Sequence, residues 1–310
     1  MVTCQGDDYQ ITTIDSNAFN FNSTIKSLTL PSTINTINEN AFSACLNLET
    51  IDLSNCTNLE TISDRAFNYC SNLKTVILPA NLASFGQNVF SRCPTIEEIL
   101  VSDDSQYWTS ENGILYNKDK TQLVFYPAGK AETSFIVPSS ITSIGSFAFA
   151  YNTTLESVDM SACSNLTLID YDAFYSCSKL NEVILPTSLE EIGRMAFSSC
   201  INLQTLDLSY CDNLTTIGEY AFNASAITSL VIPESVNYIG VCAFMACANM
   251  ESVTFEDVTG WNDNNYDNQL TAIDDINQYM QTQIEQKTGG YSIFSDSYNY
   301  PTYIYFVKIV

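Results

Sequence analysis

Residues 189–208 read LEEIGRMAFSSCINLQTLDL, and close variants of this stretch recur along most of the chain. An Ala-Phe pair marks the copies, at Ala18-Phe19, Ala41-Phe42, Ala66-Phe67, Ala148-Phe149, Ala173-Phe174, Ala196-Phe197, Ala221-Phe222 and Ala243-Phe244. A ninth, degenerate copy is Val89-Phe90. Successive phenylalanines are 23, 25, 23, 59, 25, 23, 25 and 22 residues apart. A near-constant period of this length predicts a repeat protein.

The second half of each copy predicts a short β-strand. Its pattern is Leu-x-x-Leu-x-Leu, and the last three positions alternate with the period of two that is typical of a half-buried strand. One such repeat cannot bury its apolar side alone, whereas stacked repeats share a continuous core. We therefore predict a solenoid with a curved, leucine-rich-repeat parallel sheet and short segments on its convex side. In this architecture the phenylalanines of successive repeats stack on one another.

Two regions depart from the period. Residues 103–131 contain Gly113 to Tyr116, a polar turn and Leu123 to Pro127, which predict a β-hairpin inserted into the array. From residue 256 the repeat stops. There Leu270, Ile273, Ile276, Met280 and Ile284 have the spacing of one helix face, and an aromatic-rich segment from 291 to 310 predicts strands. The expected domains are a solenoid over 1–255 and a small α+β capping module over 256–310.

The repeats resemble the BspA-type leucine-rich repeats, which occur in surface proteins of anaerobic bacteria and some protists. The resemblance covers about residues 11 to 260. It includes the recurring Ala-Phe-x-x-Cys signature, the insert from Asn112 to Pro127 and the closing segment from Phe255 to Trp261. It implies a cell-surface or secreted protein that binds a host or neighbouring-cell protein, and it implies no catalysis. The first residues of this chain lack the pattern of an export signal.

Composition excludes several functions. The chain of 310 residues has no histidine, which removes Ser-His-Asp and Cys-His catalysis and all histidine-containing metal sites. Its formal charge of −24 disfavours nucleic acid and anionic lipid as partners. No apolar run is long enough to cross a membrane. Carboxylate-based hydrolysis is the enzymatic alternative, but no acid pair has a distinctive context, so we predict no enzyme and no cofactor.

The 11 cysteines occupy repeated positions. Six lie three residues after a repeat phenylalanine, namely Cys45, Cys70, Cys93, Cys177, Cys200 and Cys247, and another slot holds Cys56, Cys163 and Cys211. A repeated slot predicts a small buried residue rather than a ligand cluster. Disulfides and zinc are the alternatives, and the odd total leaves at least one thiol unpaired within the chain.

The outward positions of the predicted strands are the best candidate for a binding surface. Two neighbouring rows result, and the residues predicted to bind a protein or peptide partner are Thr50, Asp52, Thr75, Ile77, Glu98, Leu100, Ile136, Asp159, Glu182, Ile184, Thr205, Asp207 and Val231. β-Branched residues also simply suit a strand. Aliphatic side chains on an open face are nevertheless unusual, and they favour binding. The alternative function is a structural spacer without a ligand of its own.

One loop resembles a calcium site. Asp263, Asn265, Asp267 and Asp274 match positions 1, 3, 5 and 12 of a calcium-binding loop. However, Asn268 replaces the expected glycine, and the last position lacks the bidentate glutamate. A polar loop that leads into a helix is therefore the favoured interpretation, and we predict no metal site.

Overall fold

A computed structural model describes residues 2–4, 7–257, 259, 261–264, 270–272 and 305–308. The chain divides into two compact units, Met1–Ala131 and Glu132–Val310. Each unit contains stacked repeats. The division falls at the end of the predicted insert, while the predicted boundary at residue 255 stays a prediction.

In the first unit every regular repeat contributes two short strands to two parallel sheets. One sheet contains β4 (Ser27–Thr29), β6 (Thr50–Asp52), β8 (Thr75–Leu78) and β10 (Glu98–Val101). The other contains β3 (Thr13–Ile14), β5 (Thr36–Ile37), β7 (Thr61–Ile62) and β9 (Ser84–Phe85). They are preceded by an antiparallel pair, β1 (Val2–Cys4) and β2 (Asp7–Tyr9). The sequence predicted the first parallel sheet, and the structure adds the second.

The insert is a three-stranded antiparallel sheet. β12 (Ile114–Asn117) and β13 (Gln122–Phe125) form the predicted hairpin, and β11 (Trp108–Glu111) extends it. The loop between β11 and β12 is Asn112-Gly113, and both residues have positive φ, at 51° and 77°. A two-residue hairpin loop with this geometry favours Asn-Gly. The ring of Phe125 lies 5.8 Å from that of Phe90, which joins the insert to the core of the first unit.

The second unit repeats the same plan. One set of strands is β14 (Ser134–Ile136), β16 (Ser157–Asp159) and β18 (Glu182–Ile184), followed by the pair β21 (Ser229–Ile232) and β23 (Ser252–Phe255). The other set is β15 (Ser143–Ile144), β17 (Leu168–Ile169), β19 (Glu191–Ile192), β20 (Thr216–Ile217) and β22 (Tyr238–Ile239). Within both sets neighbouring strands are parallel.

The predicted strand from Leu203 to Leu208 is reduced to a single bridge, between Thr205 and Ser229. The turn before Ser229 also departs from the pattern. Ile227 follows the repeat phenylalanine by five residues, whereas the equivalent residue follows by six in the other regular repeats. This repeat is therefore one residue shorter than the others at the turn that leads to β21.

The phenylalanines of successive repeats stack as predicted. In the first unit the rings of Phe19, Phe42, Phe67 and Phe90 have successive centroid distances of 5.0, 5.2 and 5.8 Å. In the second unit the distances along Phe149, Phe174, Phe197, Phe222 and Phe244 are 4.7, 5.0, 5.8 and 5.8 Å. These rings are almost fully buried, apart from that of Phe19, which is 38% exposed. The spacing is that of offset-stacked aromatic rings.

Each repeat phenylalanine lies in a tight turn. Backbone bonds to the next repeat are made by the turns at Phe19, Phe42, Phe67, Phe149, Phe174, Phe197 and Phe222. The amide of Phe42 donates to the carbonyl of Ala66 at 2.8 Å, and that of Ala44 donates to Asn68 at 2.8 Å. Two residues of every turn have positive φ. The residues before Ala, or before Val89, are Asn17, Asn40, Arg65, Asn88, Phe147, Asp172, Met195, Tyr220 and Cys242, and the second residues after Phe are Phe21, Ala44, Tyr69, Arg92, Tyr151, Ser176, Ser199, Ala224 and Ala246. Positive φ strains the backbone of non-glycine residues, and the hydrogen bonds between repeats offset that strain.

The C-terminal segment begins with strands rather than a helix. β24 (Trp261–Asn264) pairs antiparallel with β25 (Leu270–Ala272), so the predicted helix face is wrong at Leu270. Leu270 and the two residues after it pair with β24 instead. The spacing of apolar residues along the sequence could not reveal that partner. The other positions of that face, from Ile273 to Ile284, lie outside the described residues. Within the predicted aromatic strands, β26 (Tyr305–Lys308) pairs with β22 and β24.

The turn geometry predicts opposite effects for two alanines of one repeat. Ala44 has a φ of 57°, whereas Ala41 is not among the positive-φ residues, and both are buried. Ala44→Gly relieves strain, so the variant should be at least as stable as the parent. Ala41→Gly should lose at least about 1 kcal/mol, because glycine adds chain entropy and removes a fully buried methyl group. Chemical denaturation measures both, and equal losses would contradict the assignment.

Candidate protein-binding surface

In the first unit, strand pairing places the predicted binding residues in two rows. Thr50, Thr75 and Glu98 are paired neighbours, as are Asp52, Ile77 and Leu100. All six are exposed or half-buried, whereas the residues between them on each strand, Ile51, Val76 and Ile99, are fully buried. The predicted register and the predicted outward face are therefore confirmed here. In the second row an acid is followed by two aliphatic residues, of which Leu100 is 38% exposed.

In the second unit the same two rows are formed on β14, β16 and β18. Ile136 pairs with Asp159, which pairs with Ile184, and the parallel row is Ser134, Ser157 and Glu182. Ile136 is 71% exposed, the largest value among the exposed aliphatic residues of the described chain. Farther along, Thr205, Asp207 and Val231 are also exposed, although the backbone pairs there only through the Thr205 bridge. We call the outward side chains of β14, β16 and β18 the second strand face.

The aspartates of this surface also end their strands. Oδ1 of Asp52 accepts hydrogen bonds from the amide of Ser54 at 3.0 Å and from its hydroxyl at 2.6 Å. Asp207 makes the same pair of bonds with Ser209, at 2.9 and 2.6 Å. The Asp-x-Ser sequence is the signal of this turn. Sequence reasoning treated these acids as binding residues only and missed their structural role.

This cap determines how Asp52 titrates. The hydroxyl and amide of Ser54 stabilise the carboxylate and lower its pKa below the ordinary value. A carboxyl whose pKa is lower in the folded chain stabilises the fold above the pKa of the unfolded chain. That contribution is lost as the pH falls through the folded-state pKa. The turn cap at Asp52 therefore weakens in acid.

The cysteine slots are buried, as predicted, and they bridge neighbouring repeats. In the slot after phenylalanine, each Sγ lies close to the carbonyl oxygen of the phenylalanine one repeat earlier. The pairs are Cys45 with Phe19, Cys70 with Phe42, Cys93 with Phe67, Cys177 with Phe149, Cys200 with Phe174 and Cys247 with Phe222, at 3.0–3.3 Å. The ten cysteines whose side chains are described are free thiols.

Burial makes these thiols weak acids. Loss of solvation raises the pKa of Cys45 to about 11 and that of Cys200 to about 12. Since the thiolate is the reactive form, both groups are poor nucleophiles in the folded chain. No group of three or more His, Cys, Asp or Glu among the described residues could hold a metal ion. Of the four acidic and amide residues that resemble a calcium loop, only Asp263 is described, and it lies within β24.

Asp172 is a charged residue at a buried turn position. It is 6% exposed and has a φ of 54°, and its amide donates to the carbonyl of Arg194 at 2.8 Å. Burial raises the pKa of its carboxyl to about 6, against the opposing effect of the Arg194 charge. In three other repeats the same position is an asparagine, at Asn17, Asn40 and Asn88. Asparagine tolerates positive φ and carries no charge, so the acid is the less favourable residue here.

A profile of the BspA type leucine rich repeat region matches residues 8–114 and 123–251, in six copies. The chain belongs to this family. As a BspA-type protein it is built from the stacked repeats described above, including the Ala-Phe turns and the two sets of parallel strands. No curated protein sequence matches it.

Solved structures of bacterial leucine-rich repeat proteins have a similar fold. A leucine-rich cell surface protein from Faecalibacterium prausnitzii A2-165 is 21% identical with a TM-score of 0.55, over 83% of this chain and 86% of that chain. A leucine-rich repeat protein from Eubacterium ventriosum ATCC 27560 is 25% identical with a TM-score of 0.59, over 81% and 71%. The pneumococcal vaccine antigen PcpA is 24% identical with a TM-score of 0.54, over 82% and 73%.

The described residues include no helix with the length and apolar character needed to cross a bilayer.

The buried thiols should be protected from alkylation in the folded BspA-type protein. Cys4→Ser removes the one thiol whose side chain lies outside the described residues. In this variant a maleimide should label the native chain at less than about one-hundredth of the rate seen in guanidinium, because labelling requires opening of the repeats. Mass spectrometry measures the number of labels. Rapid native labelling of Cys70 or Cys200 would contradict their burial.

Replacing Asp172 by asparagine should stabilise the chain at neutral pH. The folded-state pKa lies above that of an unfolded aspartate, so the wild-type free energy of unfolding falls as the pH rises from about 4 to about 6. At pH 7, Asp172→Asn should gain about 1–3 kcal/mol. The gain should vanish near pH 4. Denaturation at both pH values measures it, with exposed Asp103→Asn as the control, and a gain that does not depend on pH would contradict this account.

Proposed function

We propose that this BspA-type protein is a cell-surface or secreted recognition module that binds a protein partner through its outward strand residues. The residues assigned to binding are those predicted from the sequence, from Thr50 to Val231. The observation that carries the proposal is the exposure of aliphatic side chains on regular strands, above all Ile136 at 71%. Exposed aliphatic residues grouped on one face are typical of interaction surfaces.

Charge supports a basic partner. The chain has 35 acidic and 11 basic residues, and Glu98 and Glu182 belong to the strand rows. A strongly acidic surface attracts basic proteins at long range and repels nucleic acid. Binding should therefore weaken as salt is added, because exposed charges are screened over about 8 Å at physiological ionic strength.

The proposal includes the cellular location and the absence of catalysis. One similar protein, that from Faecalibacterium prausnitzii, is a cell surface protein. A location at the surface or outside the cell fits a module whose family is typical of bacterial surface proteins. We assign no catalytic residue and no cofactor, and the acids of the strand rows lie on an open ladder rather than in an enclosed site.

The spacer alternative has one observation in its favour. Asp52, Asp159 and Asp207 each accept a bond from the amide two residues ahead, so repeated acids on this surface are accounted for by turn formation. A spacer that displays another domain needs such turns and no ligand. It does not need an isoleucine as exposed as Ile136.

Two matched variants separate these functions. Ile136→Asp places a charge on the second strand face, while Ile201→Asp makes the same change at an isoleucine that is 59% exposed in a turn. Binding of the full chain to a panel of purified extracellular-matrix proteins is measured by biolayer interferometry. We expect saturable binding that Ile136→Asp weakens by about tenfold, or roughly 1.4 kcal/mol, and that Ile201→Asp leaves unchanged.

A recognition module and a structural spacer give different results for the parent chain and for each variant in this experiment. A spacer binds none of the panel saturably, and both variants then behave like the parent. Equal weakening by both substitutions would assign the effect to added charge rather than to the strand face. Circular dichroism and thermal melting of each variant confirm that the repeats remain folded.

A further inference from the structure

We propose that the second strand face binds an amphipathic, basic α-helix, and that the helix axis runs across the strands. This inference rests on the proposed function, since it names the kind of partner that the same surface takes. It is derived from the order of side chains across β14, β16 and β18 and from the spacing of parallel strands.

The second row of this face alternates between apolar and acidic residues. Ile136, Asp159 and Ile184 are paired neighbours on three successive strands. Adjacent strands are about 4.8 Å apart, so the two isoleucines are separated by about 9.6 Å with the acid midway. In an α-helix residues seven apart are separated by about 10.5 Å along the axis, and residues three or four apart by about 5 Å. A helix with aliphatic residues at i and i+7 and a basic residue between them matches this order.

The neighbouring row leaves room for a helix backbone. It consists of Ser134 and Ser157, which are short, and then Glu182, which is exposed. The serine side chains are shorter than the isoleucines beside them, of which Ile136 is exposed and Ile184 is half-buried. The backbone of a helix can therefore lie over the two serines, with its apolar side chains against the isoleucines. Glu182, at the end of the serine row, is placed to pair with a second basic residue of the helix.

An extended peptide fits this face less well. The backbone groups of these strands already bond to one another: the amide of Val137 donates to Asp159 at 2.8 Å, and that of Met160 donates to Ile184 at 2.8 Å. A strand laid across the face would therefore find few groups for its own amides and carbonyls. A helix satisfies its backbone internally and needs only side-chain contacts.

The charge at the centre of the face is held in place. Oδ1 of Asp159 accepts the amide of Ser161 at 2.8 Å, which uses one of the two carboxylate oxygens and fixes the side chain. Glu156, which is the residue before β16, and Glu182 are both exposed. A lysine or arginine midway between two apolar anchors would meet this fixed carboxylate. The first unit lacks the alternation, since its equivalent row is Asp52, Ile77 and Leu100.

A pair of synthetic peptides tests the inference with the full chain. The first is a stabilised helix with leucine at every seventh position and lysine midway between the leucines. The second has the same composition and helicity, with leucine and lysine spread around all faces. Fluorescence anisotropy should give a Kd at least tenfold lower for the first peptide. Ile136→Asp should remove that preference, and Ile201→Asp should preserve it.

Asp159→Asn tests the central charge, because asparagine keeps the oxygen that caps the turn. The variant should bind the first peptide several-fold more weakly and with a smaller dependence on salt. Equal Kd values for the two peptides would overturn the helix inference. If matrix-protein binding then still depended on Ile136, the proposed function would stand without it. Conversely, peptide discrimination combined with matrix-protein binding that does not depend on Ile136 would support the helix site and reject the matrix partner.

Discussion

The repeat-to-repeat contact is the constraint on which the structure depends. Within each unit a phenylalanine stacks on the phenylalanine of the next repeat, at centroid distances of 4.7–5.8 Å. Two sets of parallel strands bond at the same step, and so do the amides and carbonyls of the turns. All of these interactions require the same translation between repeats. A repeat that satisfies one of them is therefore in position to satisfy the others.

This shared step explains residues that would otherwise look unfavourable. Eighteen non-glycine turn residues with positive φ recur at two fixed positions, and in seven of the nine turns the amides at both positions donate to the next repeat. The slot thiols are retained inside because each lies against a carbonyl of the preceding repeat. Strain and buried polarity are both compensated by contacts that exist only in the stack.

The same stacking sets the chemistry of the outer surface. Within a sheet, each strand residue that faces outward lies one strand spacing from its paired equivalent in the next repeat, so a two-repeat alternation in the sequence becomes an alternation in space. Asp159 between Ile136 and Ile184 is the example on the second strand face. The carboxylate has two roles, since it ends a strand through Ser161 and places negative charge between apolar anchors. The recognition function that we propose therefore uses a residue that also has a structural role.

The sequence by itself determined the repeat, the strand register, the stacked phenylalanines, the buried cysteine slots and the central hairpin, because each is a local pattern repeated many times. Only the tertiary structure decided the second parallel sheet, the third strand of the insert, the single bridge at Thr205 and the strand at Leu270. Those features depend on which backbone lies alongside, and a residue's own neighbours in sequence do not specify its partner. The turn role of Asp52 and the raised pKa of Asp172 were likewise decided by hydrogen bonds and burial, which only the folded chain creates.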